Sequence, residues 1–341
     1  MTTIKEIAKE CNVSIATVSN VINNRPGVGE ITREKVLEVI KKHQYTPNVA
    51  AKNLKIKNKR TIGIITEDLT VFNTSTIVDG INEYLEEHNY QFVLNNLRLY
   101  KKYGSNFLKA NDYYNYVNEE FKMILSNQVE GIIYVGCHCR KLECIPDDFR
   151  VPIVTAYSYS DNQQVPAIIF NDEKAALDVV NTLIEKGHKK IGVICGNENS
   201  MHTKERLQGY RDALYNNEIV YNPDLLYYGD WEVESGYKGA EELMKKGVTA
   251  IFVMNDVMCA GAYNYFNEKS IKIGEDISII GFDNREFSKF MNPKLSTVDL
   301  SLSQIGIKAA EVLLDNIKGN EVKEQNHIYK IQCKLIERSS S

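Results

Sequence analysis

Between residues 61 and 280, short apolar runs alternate with longer amphipathic stretches, and this alternation limits the fold more than any other feature. The runs are 62–65, 91–94, 131–135, 152–155, 191–195, 249–254 and 277–280. They are apolar on consecutive residues, so both faces of each strand must be covered; a half-exposed antiparallel strand would alternate apolar with polar. Strands covered on both faces by intervening helices belong to parallel sheets of βα units. At 341 residues the chain is long for one core, so two doubly wound α/β lobes are expected after a separate first domain.

Residues 1–60 have a different character. They hold 12 Lys and Arg against 5 Asp and Glu, a charge of +7, while the rest of the chain holds 29 against 40, a charge of -11. A basic head on an acidic body points to one polyanion-binding module. Residues 1–9 include Lys5, Glu6 and Lys9 instead of an apolar core, and no stretch approaches a membrane span, so neither export nor membrane insertion is expected. Seven cysteines, an odd number scattered through the chain, suit a reducing compartment, and the expected location is cytoplasmic.

Within the head, Thr3 with Glu6 three residues on is a capping box, and Ile4, Ile7, Ala8 and Cys11 follow at helical spacing. Asn12 and Val13 make a turn, Ser14 is a good N-cap, and Val18, Val21 and Ile22 form the inward stripe of a second helix. A third helix runs from Thr32 to about His43, with Val36, Val39 and Ile40 inward. Two short helices joined by a tight turn are the pattern of a helix-turn-helix reader of duplex DNA. On the second helix, Ile15, Ala16 and Asn20 face outward as candidate base readers, since methyl groups touch thymine and amides reach base edges in the major groove. Ser14, Thr17, Ser19, Asn23 and Arg33 suit phosphate oxygens. The plainer alternative is a three-helix packing module with solvated polar faces.

Pro47 behind Thr46 starts a further short helix, and only about eight residues separate it from the lysine-rich run 55–60. Such a helix is too short to stand alone. Two readings stay open: a segment that folds into a minor groove with Leu54 prying a base step apart, or a flexible basic linker.

The chain resembles the LacI/GalR family of bacterial transcription regulators. The resemblance rests on Thr3-Ile-Lys-Glu-Ile-Ala-Lys, Val13-Ser-Ile-Ala-Thr-Val-Ser, Tyr45-Thr-Pro-Asn48, Ile62-Gly-Ile-Ile, Glu185-Lys-Gly-His-Lys-Lys-Ile-Gly192, Glu205-Arg-Leu-Gln-Gly-Tyr210, Asn255-Asp256 and Asp276-Ile-Ser-Ile-Ile-Gly-Phe-Asp283. It implies a helix-turn-helix domain over 1–46, a hinge helix and linker over 47–60, and a periplasmic-binding-protein-like body. The implied N-terminal lobe is 61–160 with 291–325, the C-terminal lobe 161–290 with 326–341, and the crossovers fall near 158–163 and 288–293. It also implies a homodimer on a palindromic operator, with two hinge helices pairing to push Leu54 into its centre. Thr3, Asn48 and Lys55 then join the phosphate contacts. The family often has arginine where this chain has Asn20, so operator preference does not transfer there.

Ligands of open parallel sheets gather beyond the carboxyl ends of the strands. The polar residues just past these runs include Glu67, Asp68, Asn197, Asp230, Trp231, Asn255, Asp256, Asp283 and Asn284. Carboxylates and amides match sugar hydroxyls, and the only tryptophan offers a plate for a pyranose C–H face. Simpler roles exist for each: Asp256 as a helix N-cap, and Asp68, Asn197 and Asp283 as loop residues. The resemblance favours Arg206, Trp231, Asn255 and Asp283 as effector contacts, and the expected set is Asp68, Phe72, Tyr157, Asn197, Arg206, Trp231, Asn255, Asp256 and Asp283. Where sugar-responsive relatives carry an aspartate after the strand ending near Thr155, this chain has Tyr157 and Tyr159, and segment 98–116 is long and rich in tyrosine.

Cys137, His138, Cys139 and Cys144 lack the doubled two-to-four-residue spacing of a zinc site, and His188 reads as a turn residue. No phosphate loop, nucleophile elbow or paired His-carboxylate spacing occurs, so neither catalysis, metal nor cofactor is expected. The expected function is a repressor whose operator affinity is set by a small molecule, most simply a sugar, between the lobes. The alternatives are a regulator that needs a purine-like corepressor or a protein partner, and a solute-binding protein that does not touch DNA.

Overall fold

The structure, a computed structural model, describes residues 2–45, 60–108, 112–146, 148, 150–319 and 327–341. Leu54, Asn48, Lys55 and nearly all of the expected hinge lie outside the described residues. The chain divides into two compact units, Met1–Lys59 and Arg60–Ser341.

The first unit is helical: α1 (Ile4–Cys11), α2 (Ile15–Ile22) and α3 (Glu30–Lys42). Local chemistry sets its first boundaries. The Thr3 hydroxyl accepts from the Glu6 amide while the Glu6 carboxylate accepts from the Thr3 amide at 2.7 Å, closing the capping box. Asn12 ends α1 in the left-handed region (φ 54°), which an asparagine tolerates, and the Ser14 hydroxyl caps α2 by accepting from the Thr17 amide at 3.0 Å. Ile7, Ala8, Cys11, Val18, Val21 and Val36 form the buried centre, with Ile22, Val39 and Ile40 packed around it.

The second unit runs β1 (Thr61–Thr66), α4 (Phe72–Glu87), β2 (Gln91–Asn96), α5 (Leu99–Tyr103), α6 (Tyr114–Ser126), β3 (Gly131–Val135), β4 (Ile153–Ala156), β5 (Ala167–Phe170) and α7 (Asp172–Glu185). It continues with β6 (Ile191–Cys195), α8 (Met201–Asn216), β7 (Leu226–Tyr228), α9 (Val233–Lys245), β8 (Ala250–Val253), α10 (Asp256–Glu268) and β9 (Ser278–Ile280). It ends with β10 (Thr297–Asp299), α11 (Leu302–Ile317), β11 (Ile328–Ile331) and β12 (Lys334–Ile336). A six-stranded sheet has the order β11-β5-β4-β3-β1-β2 and a four-stranded sheet the order β7-β6-β8-β9, each parallel throughout, while β10 and β12 form an antiparallel pair. Strands β3, β4, β6 and β8 are buried along their whole length, as their unbroken apolar runs require. Each lobe is thus a doubly wound α/β layer, with α4 against α11 on the first sheet and α7 against α8 on the second.

The sheets divide the lobes differently from the expected boundaries. Ala167–Phe170 pairs with β4, and Ile328–Ile331 pairs with Ala167–Phe170, so both belong to the six-stranded sheet although ranges 161–290 and 326–341 were expected in the other lobe. The first crossing therefore comes after Phe170, not near 158–163. The physical reason is that a four-residue apolar strand gains more as a neighbour of β4, buried on both faces, than as a linker. Among the described residues no helix is long and apolar enough to cross a membrane.

Candidate functional site

On the head, Ile15 is 44% exposed and Ala16 is exposed beside it, with Asn20 half-buried one turn further along α2. Ile15 is not part of the buried centre of the head, so its side chain stays at the surface of α2. The nearby polar residues are partly committed. The Ser14 hydroxyl lies 2.8 Å from that of Thr17, Asn23 Nδ2 donates to the Ser19 carbonyl at 2.8 Å, and the Thr3 hydroxyl belongs to the capping box. Arg33 departs from its expected place on a phosphate: Nη1 donates to Asn24 Oδ1 and Nη2 to the Arg25 carbonyl, both at 2.8 Å. The guanidinium closes the loop after α2, because that loop brings two acceptors within its reach.

In the body, a cavity of about 810 Å³ lies beyond the carboxyl ends of both parallel sheets. Of the expected residues, Phe72, Tyr157, Asn197, Arg206, Trp231, Asn255 and Asp283 line it. Asp68 and Asp256 do not. Asp68 is buried and accepts from the Thr70 amide (3.0 Å) and hydroxyl (2.7 Å), closing a turn after β1. Asp256 is fully buried as the first residue of α10, accepting from the Thr297 hydroxyl at 2.6 Å and the Arg285 amide at 2.8 Å, and burial pushes its carboxyl up to about 7. Both carboxylates fasten loops: each stands just past a strand end and already accepts from a backbone amide and a hydroxyl.

The wall from the four-stranded sheet centres on Trp231. A Cβ on Gly196 would lie 2.0 Å from Trp231 Cζ2, so the indole is seated directly on backbone at the end of β6 and only glycine fits beneath it. Trp231 itself has φ 77°, a strained conformation for a bulky residue. Asn255 holds it there: Nδ2 donates to the Trp231 carbonyl at 3.0 Å, while Oδ1 caps α10 by accepting from the Met258 amide at 2.7 Å. The Arg206 guanidinium carbon lies 3.6 Å from the Phe282 ring centre and 5.9 Å from that of Trp231, Nε donates to Asp172 Oδ1 at 2.6 Å and Nη1 to the Met254 carbonyl. Burial works against the Asp172 carboxylate, but Arg206 and His202 hold its pKa down to about 2.

Asp172 Oδ2 also lies 2.7 Å from His202 Nδ1, and His202 Nε2 lies 2.9 Å from the Tyr157 hydroxyl, with all three residues buried. Tyr157 follows β4 of the six-stranded sheet, whereas Asp172 and His202 sit on α7 and α8 against the four-stranded sheet. A continuous polar chain, Arg206–Asp172–His202–Tyr157, therefore links the lobes beneath the cavity. Asp283, with φ 109° after β9, is half-buried at the wall, and burial pushes its carboxyl up to about 8.

The wall from the six-stranded sheet holds residues outside the expected effector set. Glu67 is fully buried and takes Arg140 as a fork, Nη1 to Oε2 at 2.9 Å and Nη2 to Oε1 at 2.7 Å. The Tyr134 hydroxyl and the Cys137 amide donate to the same carboxylate, each at 2.9 Å, and the Tyr113 hydroxyl accepts from Arg140 at 2.9 Å. Burial raises the pKa of Glu67, but the Arg140 charge together with the hydrogen bonds from Arg140 and Cys137 brings it below the usual carboxylate range. Tyr100 and Ser105, from the long 98–116 segment, and His138 line the cavity too. Burial drives the His138 imidazole down to about 3, so it is neutral. Glu67 follows an apolar run, and that was the available signal; it is buried behind the cavity wall, where it holds Arg140, which does line the cavity. Cys137, Cys139 and Cys144 are buried thiols that burial pushes up, and among the described residues no group is arranged to hold a metal ion. His188 bonds the Thr249 hydroxyl at 3.0 Å and that of Ser278 at 2.9 Å, as a turn residue does.

Residues 3–48 match the model for bacterial regulatory proteins of the lacI family, and residues 180–341 match a periplasmic binding protein-like domain. The HTH-type transcriptional repressor PurR of Vibrio atlanticus is 31% identical over 347 residues, covering 100% of this chain and 98% of that protein. The chain belongs to the LacI family. The repressor CytR of Escherichia coli strain K12 is 30% identical over 342 residues, covering 99% of this chain and 96% of that protein. Among solved structures, the lac repressor dimer bound to operator and the anti-inducer ONPF has a TM-score of 0.80 at 25% identity, covering 99% and 98% of the two chains. A complex of the regulator CelR with cellobiose has a TM-score of 0.67 at 25% identity and covers 100% of both chains. This LacI-family chain is a DNA-binding transcription regulator with an effector domain for a small molecule, and not an enzyme.

Proposed function

We propose that this LacI-family regulator is a homodimeric cytoplasmic repressor of a palindromic operator, and that a sugar bound in the cleft sets its grip. The observation that carries the sugar reading is the Trp231 plate, seated on Gly196 and held by Asn255, with Arg206 and Asp283 on the same cavity wall. A flat indole beside fixed donors and acceptors suits a pyranose, whose C–H face is apolar and whose hydroxyls need paired polar groups. The CelR complex with cellobiose agrees with a carbohydrate in a body of this kind.

In this reading Ile15, Ala16 and Asn20 read bases; Thr3, Ser14, Thr17, Ser19, Asn23, Asn48 and Lys55 meet the sugar-phosphate backbone; Leu54 enters the minor groove from a hinge within 47–60. Residues 1–46 form the reading domain. Effector contact comes from Phe72, Tyr157, Asn197, Arg206, Trp231, Asn255 and Asp283. Lobe closure on the sugar alters the separation of the hinges, and DNA and effector affinities are reciprocally coupled.

The test is operator binding by fluorescence anisotropy, on a site selected from random duplexes, against a panel of carbohydrates and nucleobases. An inducing sugar raises the operator Kd. A panel in which carbohydrates leave Kd unchanged while a nucleobase lowers it replaces this reading with a corepressor, the second possibility, favoured because a planar base also stacks on an indole and because the relatives include PurR. Operator affinity should fall steeply with salt, through counterion release.

A further inference from the structure

Three arginines line the cavity, and one of them differs from the other two. Arg140 lies on Glu67 and Arg206 on Asp172, each as a short ion pair with a buried carboxylate, so those two charges are balanced from behind. The Arg285 side chain has neither an ion pair nor a hydrogen bond among the described residues. Its backbone is fixed, because its amide donates to Asp256 Oδ2 at 2.8 Å. Its guanidinium carbon stands 4.1 Å from the centre of the Phe72 ring. A cation over an aromatic face is held in place without being neutralised. The planar fork of its N–H donors is left for something else.

The surroundings do not supply that partner. The two carboxyls that feel the Arg285 charge, Asp256 and Asp283, neither pair with its guanidinium nor carry a full charge near neutral pH, because burial pushes them up to about 7 and about 8. The other lining carboxylates, Asp230 and Glu232, are exposed beside Trp231, and Asp230 Oδ1 already accepts from the Glu232 amide at 3.1 Å. Lys204, also in the lining, adds a second side chain with no ion pair among the described residues.

Space points the same way. Phe72, Asp283 and Arg285 line both the main cavity and a neighbouring one of about 790 Å³, so Arg285 stands where the two meet. A hexose displaces about six waters, roughly 180 Å³ at ~30 Å³ each. The main cavity of about 810 Å³ therefore has room for a substituent reaching beyond a single ring.

We propose that the effector is a sugar carrying an anionic group, a carboxylate or a phosphate, and that Arg285, braced on Phe72, receives that group while Trp231 takes the ring. Arginine binds either oxyanion with two parallel N–H donors, and such charge-assisted pairs are shorter and stronger than neutral ones. The inference rests on the sugar reading and extends it from ring to charge.

The chain has one tryptophan, so the intrinsic emission of Trp231 in the full-length protein reports on the cavity directly. Titrations use matched triples, a neutral hexose, its uronate and its 6-phosphate, in the gluco, galacto and manno series. The expected result is one series in which a charged member binds at least tenfold more tightly than the neutral one, the uronate and phosphate arms telling which oxyanion is preferred. Arg285→Gln should reduce that preference below threefold, and Arg285→Lys, which keeps a charge but loses the fork, should retain part of it. Equal binding of neutral and charged members, or a preference that survives Arg285→Gln, overturns the assignment. If neutral sugars bind, the sugar reading stands when this step falls; no response to any carbohydrate overturns both.

Discussion

The two walls of the cleft each present a guanidinium on a buried carboxylate, but they hold it by different means. Arg140 is supported within one lobe, by Glu67, Tyr113, Tyr134 and the Cys137 amide. Arg206 is supported across both, because its partner Asp172 is joined through His202 to Tyr157 of the other lobe. A group built into one lobe recognises ligand whatever the lobe angle is. A group wired to both is sensitive to that angle, and under the proposed function this is how binding energy at one wall becomes a change of shape.

The largest expected effect separates the walls by stability. Asp172→Ala leaves Arg206, 2% exposed, as an unpaired buried charge, and a loss of about 3 to 5 kcal/mol in urea unfolding is expected. Glu67→Ala strands Arg140, whose side chain is 14% exposed and can take up water from the cavity, so a loss of about 2 kcal/mol is expected. Equal losses would break the comparison.

Acid sharpens it. Asp172 ionises at about 2 in the folded protein and at its ordinary 3.8 when unfolded, so as pH falls through this window the unfolded chain takes up the proton first. On the order of 2 kcal/mol of stability present at pH 5 should disappear toward pH 2, and the Asp172→Asn protein should lack that limb. Asp283 has the opposite sign: its folded pKa is raised to about 8, so its contribution weakens stability progressively as pH rises from about 4 to about 8, and Asp283→Asn should flatten that slope. Denaturation midpoints across pH measure both.

Gly196→Ala should lower effector affinity at least tenfold, about 1.4 kcal/mol, since a Cβ there would lie 2.0 Å from Trp231 Cζ2 and must displace the indole. Titration of Trp231 emission checks it, and an unchanged Kd would mean that the ring is not where ligand rests. Tyr157→Phe is the mildest. It removes one buried hydrogen bond and leaves His202 Nε2 without a partner, for about 1 kcal/mol in unfolding. If operator release by effector is nonetheless unaltered in this variant, the chain between the lobes carries no signal.

Much of the molecule could be read in advance, for a consistent reason. The Thr3 and Glu6 capping box, the Asn12 turn and the Ser14 cap are interactions between residues at most five apart, so spacing alone specifies them. The central strands are continuous apolar runs with few alternatives to a buried parallel sheet. The expected lobe boundaries put 167–170 and 328–331 in the wrong lobe because neither segment stood out as a run, and their pairing spans most of the second unit. In the cleft, seven expected contacts line the cavity, and all but Phe72 follow a strand end or are carried by a quoted motif. Asp68 and Asp256 occupy equivalent places in the chain yet turn inward to hold loops.

Composition and periodicity determined the layers of this protein and its basic head, because these depend on how apolar and charged residues are spaced along the chain, and the quoted motifs carried the resemblance to its family. Only the tertiary structure decided that Glu67 grips Arg140, that His202 bridges to Tyr157 and that the Arg285 side chain has no ion pair among the described residues. Those three facts depend on which side chains meet when residues 45 to 73 positions apart are brought together, or fail to be, and a buried charge responds to its neighbours in space within a few ångströms.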